Sequence, residues 1–170
     1  FLLNVLVSLS IVKTLEGYNV PNLAIKWPND ILSGHHKIAG ILIENIIKAN
    51  QIEFSIIGIG LNVNQEQFKG LTKVSSLKSI LGMPIDREEL LHKLIENVQK
   101  YFGLYTENGE DILNAEYVSY LFRKDKPSTF KLPNHTLFTG IIRGVTDRGK
   151  LRVQMEDATK EFDLKQLKLL

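Results

Sequence analysis

The stretch KWPNDILSGHHKIAGILIE, Lys26–Glu44, decides how this chain is read. Pro28 halts the short apolar run LAIKW (23–27), DIL begins another, and SGHH turns the chain into KIAGILIENI. Proline cannot donate to a strand ladder, so the reading is a strand running into an abrupt loop, followed by a hairpin. The same stretch sets Asp30 and Lys37 beside runs apolar enough to be core strands. Taken singly, Lys26 and Asp30 read as strand ends, His35 and His36 as a solvated turn, and Lys37 as an apolar stem carrying its charge to water. Together with Gly40 in KIAG, and Gly58 and Gly60 in GIGLN, they read as a site, because glycines weaken strands and persist where a ligand or another backbone comes close.

Outward from this stretch, FLLNVLVSLSIVKTL predicts a buried helix over about 3–16 with Gly17 as its stop. Its apolar run contains Asn4, Ser8, Ser10 and Lys13 and is shorter than the roughly 20 residues a membrane helix needs, so no membrane partner is expected. The chain opens on Phe1 inside an apolar run, and the expectation is a piece of something longer. KANQ reads as a turn into IEFSIIGIGLNV, so three or four strands should be sheet neighbours. VSSLKSILG predicts a short helix capped by Ser75 or Ser76 and stopped by Gly82. DREELLHKLIENVQKYFGLY carries Leu90, Leu91, Leu94, Ile95, Val98 and Phe102 at helical spacing, with Asp86 as cap, and a further helix is predicted over about 109–122.

From Thr129 the pattern changes to short β segments, TFKL, TLFTGIIRGV, KLRVQM and KEFDL, separated by turn residues. A small barrel docked on its neighbour fits this spacing, with a boundary near 127 and RKDK (123–126) as a solvated linker. The expected fold class is therefore α+β: a mixed, mainly antiparallel sheet packed with helices over 1–127, then a small SH3-like β-barrel over 128–170.

Composition excludes other classes. The 21 basic and 19 acidic residues of the 170 leave a formal charge of +2, too small for a broad nucleic-acid-gripping field. The absence of cysteine removes disulfides, thiolate metal sites and thiol nucleophiles, and fits a cytoplasmic home. His35–His36 lacks the carboxylate or cysteine company of a metal site, and GIG at 58–60 lacks the third glycine and helix of a dinucleotide fingerprint. Trp27 reads as a packing anchor.

KWPNDIL, then KIAGILIE, then IIGIGLNVN, in that order and spacing, resemble the biotin-protein ligases, whose catalytic fold is class II synthetase-like. The resemblance extends to the tail, where LFTGIIRGVTDRGKLRVQ is similar to the central hairpin of the family's SH3-like domain. It implies ATP-dependent attachment of biotin, through biotinyl-5′-adenylate, to a lysine of a biotin carboxyl carrier domain of a biotin-dependent carboxylase, with Mg²⁺ accompanying ATP. It assigns Lys37 and Asp30 as catalytic, Lys37, Gly40, Gly58 and Gly60 to biotin, and Asn29, Asn62 and Lys37 to the nucleotide. A homodimer is compatible with the family, and DNA becomes a partner only where a helix-turn-helix precedes the catalytic domain. The family's Gly/Arg-rich loop of GRGR type is not in these residues, so the 170-residue chain alone is expected to bind biotin weakly and not to ligate. A lipoate-protein ligase of the same fold and a non-catalytic carrier-binding module are the alternative readings.

Overall fold

A computed structural model describes residues 1–170, the side chain of Asn108 excepted. Helix α1 (Leu2–Glu16) is buried on nearly every side from Val5 to Leu15, as its almost unbroken apolar sequence requires. Two of its buried hydroxyls are satisfied within the helix, Ser10 and Thr14 donating to the carbonyls four residues earlier, each at 2.7 Å, whereas the buried Ser8 hydroxyl has no partner among the described residues. The helix ends at Gly17, but that residue is right-handed at φ −62°; the left-handed turn falls on Asn19 at φ 57°. Asparagine tolerates that region, so the glycine stop is displaced by two residues.

Four antiparallel strands form the first sheet in sequence order: β1 (Leu23–Lys26), β2 (Asp30–Ser33), β3 (His36–Lys48) and β4 (Gln51–Leu61). Ala49 and Asn50, both at positive φ, make the tight β3–β4 turn. One face of this sheet packs Ile25, Ile31, Ile38 and Ile41 against α1. The other is open, and along it Leu42, Ile46, Phe54 and Ile56 are exposed.

Helix α2 (Leu77–Leu81) is capped by the Ser76 hydroxyl and stopped by Gly82 at φ 74°. Helix α3 (Arg87–Asn108) starts where the Asp86 carboxylate accepts from the Glu88 and Glu89 amides, and α4 (Glu110–Ser119) follows. Both pack on α1. The phenol of Tyr101 on α3 donates to Glu116 of α4 at 2.8 Å.

The second sheet has five antiparallel strands, β5 (Pro127–Lys131), β6 (Leu137–Val145), β7 (Leu151–Gln154), β8 (Thr159–Phe162) and β9 (Lys168–Leu169), ordered β8-β7-β6-β5-β9. Phe130, Ile142, Leu151 and Val153 fill its core. Phe138 stacks between Phe130 and Phe162 at 5.3 and 5.8 Å. Strands β8 and β9 remain edges, so pairing does not close the expected barrel into a ring.

RKDK differs from the expected solvated linker. The Ile25 amide donates to the Tyr120 carbonyl at 2.7 Å and the Phe122 amide donates back to Ile25, while the Asp125 amide reaches Ile142 of β6 at 3.0 Å. Arg123 and Asp125 adopt positive φ to make these turns, and Arg143 pairs with Asp125 at 2.6 Å. Hydrogen bonds joining Tyr120 and Phe122 to the first sheet and Asp125 to the second thus hold residues 120–125 as a clamp.

Candidate functional site

Strand register gathers the site. Asp30 of β2 pairs with Gly40 of β3, and Gly40 pairs with Gly60 of β4, giving one row across three strands; Leu42 pairs with Gly58 in the next row on that face. Residues three apart on a regular strand point to opposite faces, which would separate Lys37 from Gly40. The register breaks between Ile31 and Leu32, whose partners are Ala39 and Lys37. Ile38 is therefore an extra residue in β3, and this bulge returns Lys37 to the Gly40 face. Buried Ile38 and Ala39, adjacent in sequence, are its packing counterpart.

Lys37 Nζ then lies 2.5 Å from Asp30 Oδ1, with side chains 43% and 30% exposed. A β-carbon built on Gly40 would stand 3.0 Å from Lys37 Nζ and 3.5 Å from Asp30 Oδ1. The missing side chain is thus the space the ion pair occupies. Asn29, Asp30, Lys37, Gly40, Gly58 and Gly60 line one open cavity of about 470 Å³. This cavity brings together six of the seven residues singled out from the sequence.

The seventh, Asn62, is not among its lining residues. It sits just past β4, its amide group donating to the Ser75 carbonyl at 3.1 Å. The Ser75 amide donates to the Lys37 carbonyl, and the Lys37 amide to Lys73, at 3.0 and 2.9 Å. Asn62 therefore reaches the site by bracing the segment that holds the Lys37 backbone. Asn29 is also engaged: its side chain donates to the Ile41 carbonyl at 2.7 Å.

Trp27, expected to be a packing anchor, also makes a polar contact, its indole donating to the Gly149 carbonyl in the β6–β7 turn at 2.9 Å. A groove of about 990 Å³ between the two sheets is not legible in the sequence. Lys26, Lys73, Arg123 and Lys168 line it together with Asp30 and Lys37. These cations are scattered over the sequence, and no local pattern announces their convergence. Among the described residues no three His, Cys, Asp or Glu side chains gather in a way that could hold a metal ion, and no helix is long and apolar enough to cross a membrane.

Residues 1–62 match the model of the biotin/lipoate A/B protein ligase family. The bifunctional ligase/repressor BirA of Bacillus subtilis is 29% identical over 164 residues, covering 94% of this chain and 50% of that protein. A biotin–acetyl-CoA-carboxylase ligase of Mycobacterium tuberculosis is 28% identical over 127 residues, covering 75% of the chain and 46% of that protein. The chain thus spans about half the length of the curated relatives it matches. The fold is that of the biotin protein ligase from Aquifex aeolicus solved with biotin and ATP, at a TM-score of 0.81 and 24% identity, over 99% of this chain and 71% of the other. The chain is thus similar in sequence to curated biotin ligases over most of its length, matches the biotin/lipoate A/B protein ligase family model over residues 1–62, and has the fold of a solved biotin protein ligase.

Proposed function

We propose that the full protein is an ATP-dependent ligase that attaches biotin to a specific lysine of a biotin carrier domain, by way of biotinyl-5′-adenylate. In this reading residues 1–127 belong to the catalytic domain and 128–170 form an SH3-like domain. The observation that carries it is the Lys37–Asp30 pair in a glycine-walled cavity, standing in a segment that matches the family. A carboxylate resists attack by an amine because it has no good leaving group, so one of its oxygens is first bonded to phosphorus and can then depart as part of AMP. The biotin carboxylate attacks the α-phosphorus of ATP and pyrophosphate leaves; the acceptor amine then attacks the acyl carbon and AMP leaves.

Both steps concentrate negative charge. The Lys37 ammonium, held beside the cavity floor by its backbone bonds to the 73–75 segment, offsets repulsion between carboxylate and phosphate and stabilises charge on the transferring phosphoryl group. Gly40, Gly58 and Gly60 leave room for the ring system of biotin against the sheet. Asp30 orients the acceptor amine and displaces water from it; a carboxylate is too weak a base to take a proton from an ordinary ammonium unaided. Asn29 and Asn62 serve the nucleotide by holding the loop and the segment that frame the site. Mg²⁺ enters bound to the ATP phosphates. The carrier-domain partner and a cytoplasmic location belong to the same proposal.

The test is exchange of label between pyrophosphate and ATP by the full-length protein, with biotin or lipoate supplied in parallel, followed by labelling of a biotin carrier domain. Biotin-dependent exchange and carrier labelling are expected. Exchange driven by lipoate alone would turn the reading to the lipoate branch, and no exchange with either acid would leave a binding module.

A further inference from the structure

The three-residue loop Trp27-Pro28-Asn29 between β1 and β2 is tied at each residue to a different part of the molecule. The Asn4 side chain of α1 donates to the Pro28 carbonyl at 2.8 Å. Asn29 exchanges two bonds with Ile41 of β3: its side chain donates to the Ile41 carbonyl and its own carbonyl accepts from the Ile41 amide at 2.9 Å. Trp27 alone reaches the second sheet, across 122 positions of sequence, to the Gly149 carbonyl. That carbonyl is itself held. Gly149 stands at φ +83°, its amide donates to Thr146, and Phe1 packs so closely that a β-carbon there would lie 2.3 Å from the Phe1 ring. Phe1 in turn meets Tyr117 of α4 edge to face at 5.6 Å.

We propose that Trp27 is a positioning residue: its bond to the Gly149 carbonyl lets the second sheet set the 27–29 loop and, through it, the place of Asp30. Asp30 follows the loop directly and pairs with Lys26, which precedes it, so both ends of the loop sit in one register pair. A loop of three residues has little slack, and a shift at Trp27 passes to Asp30. The inference rests on the role given to Asp30 above and adds a route by which the second sheet acts on that role without touching substrate.

The test uses Trp27→Phe in the full-length protein, which removes the indole donor and keeps an aromatic ring. Adenylate formation is followed by biotin-dependent exchange, and the second step by single-turnover transfer from preformed biotinyl-adenylate to a carrier domain. One neutral hydrogen bond is worth about a fivefold to tenfold change in rate, and that slowing is expected in transfer, with a smaller loss in exchange because Asn29 and the Lys37 partner of Asp30 share the loop's position. In an Asp30→Asn background the same substitution should add less than about twofold, because the residue through which Trp27 acts is gone. Unchanged transfer, or an equal loss in both backgrounds, overturns the proposal. A readout independent of activity is the Trp27 indole N–H resonance, assigned by its loss in Trp27→Phe: it should exchange slowly with solvent, and faster in Gly149→Ala, whose added carbon must displace the turn. Slow exchange in a protein that catalyses neither step would sink the proposed ligase and leave the tie standing. Fast exchange in the wild type would sink the tie.

Discussion

Gly40→Ala separates a site glycine from a strand glycine. A β-carbon at Gly40 would come within 3.0 Å of Lys37 Nζ and 3.1 Å of its Cε. Only the far end of a flexible side chain has to give way, by a few tenths of an ångström or by leaving Asp30 altogether. The stability consequences nearly cancel: alanine in a strand interior gains about 0.5–1 kcal/mol over glycine, and loosening an ion pair as solvated as this one costs about 0–1 kcal/mol. The melting free energy should therefore change by less than about 1 kcal/mol. Catalysis has no such cancellation, because displacing a charged group by about 1 Å can cost on the order of 100-fold. Biotin-dependent pyrophosphate exchange by the full-length variant should fall by at least about tenfold, with urea unfolding of the same preparation unchanged. Gly58→Ala and Gly60→Ala are the controls. Their β-carbons would stand at ordinary contact distance, nearest the Leu42 carbonyl at 3.6 Å and the Gly40 carbonyl at 3.8 Å, so they should leave Lys37 in place and act on the binding of biotin alone, raising its KM with little change in kcat. Full exchange activity in Gly40→Ala, with the fold intact, would refute the placement of Lys37 at the reacting atoms.

Lys37→Ala should abolish exchange to within about 100-fold of background while leaving unfolding within about 1 kcal/mol; unaltered exchange removes the residue from the mechanism. Asp30→Asn should slow transfer to the carrier lysine more than adenylation, measured as two single-turnover half-reactions, and equal losses would reduce it to a structural role. Phe130→Ala, which empties a fully buried position stacked on Phe138, should cost about 3–5 kcal/mol by urea unfolding. The Glu16 carboxylate is resisted by its burial but overruled by hydrogen bonds from Tyr120 and Lys13, so its pKa is lowered, while the bond to Glu16 raises that of Lys13. Glu16 therefore contributes stability that is present above its unfolded value near 4.3 and is lost as pH falls through the lower folded one. Lys13 contributes stability that is present below about 10.4 and is lost as pH rises through its raised folded value. For this half-exposed pair, Glu16→Gln should destabilise by no more than about 1 kcal/mol at pH 7, and the difference should vanish in strong acid.

Much of the site was legible because it is local. Register pairs Asp30 with Gly40 and Gly40 with Gly60, so residues that look separate in KWPND, KIAG and GIGLN become one row once the hairpins are recognised. Helix caps were legible for the same reason: Ser76 and Asp86 bond to amides two or three residues away. What the sequence hid was whatever depends on distant partners. The clamp over 120–125 runs into what looks like a solvated charge run until Ile25, bonded to Tyr120 and Phe122, and Ile142, bonded to Asp125, anchor it, and β9 is two residues long and exists only because Phe130 and Lys131 are there to pair with it. The displaced stop of α1 is a milder case, since two residue types able to turn left stand two positions apart.

The bulge at Ile38 shows why the identity of a site residue can be read before its geometry. Alternation alone sends Lys37 and Gly40 to opposite faces, and a strict strand reading would have placed the lysine in the core with no counter-charge, at a cost of several kcal/mol. The chain avoids this with one extra apolar residue. Ile38 and Ala39 are both buried, so the side-chain period slips by one, the ammonium returns to the open face, and its Asp30 partner is already waiting there. Burying two consecutive side chains in a half-buried strand is the signal of that slip, and it stands in the sequence as the IA of KIAG. Only the partner strand, whose Leu32 opposes Lys37 while Ile31 opposes Ala39, turns the signal into a position.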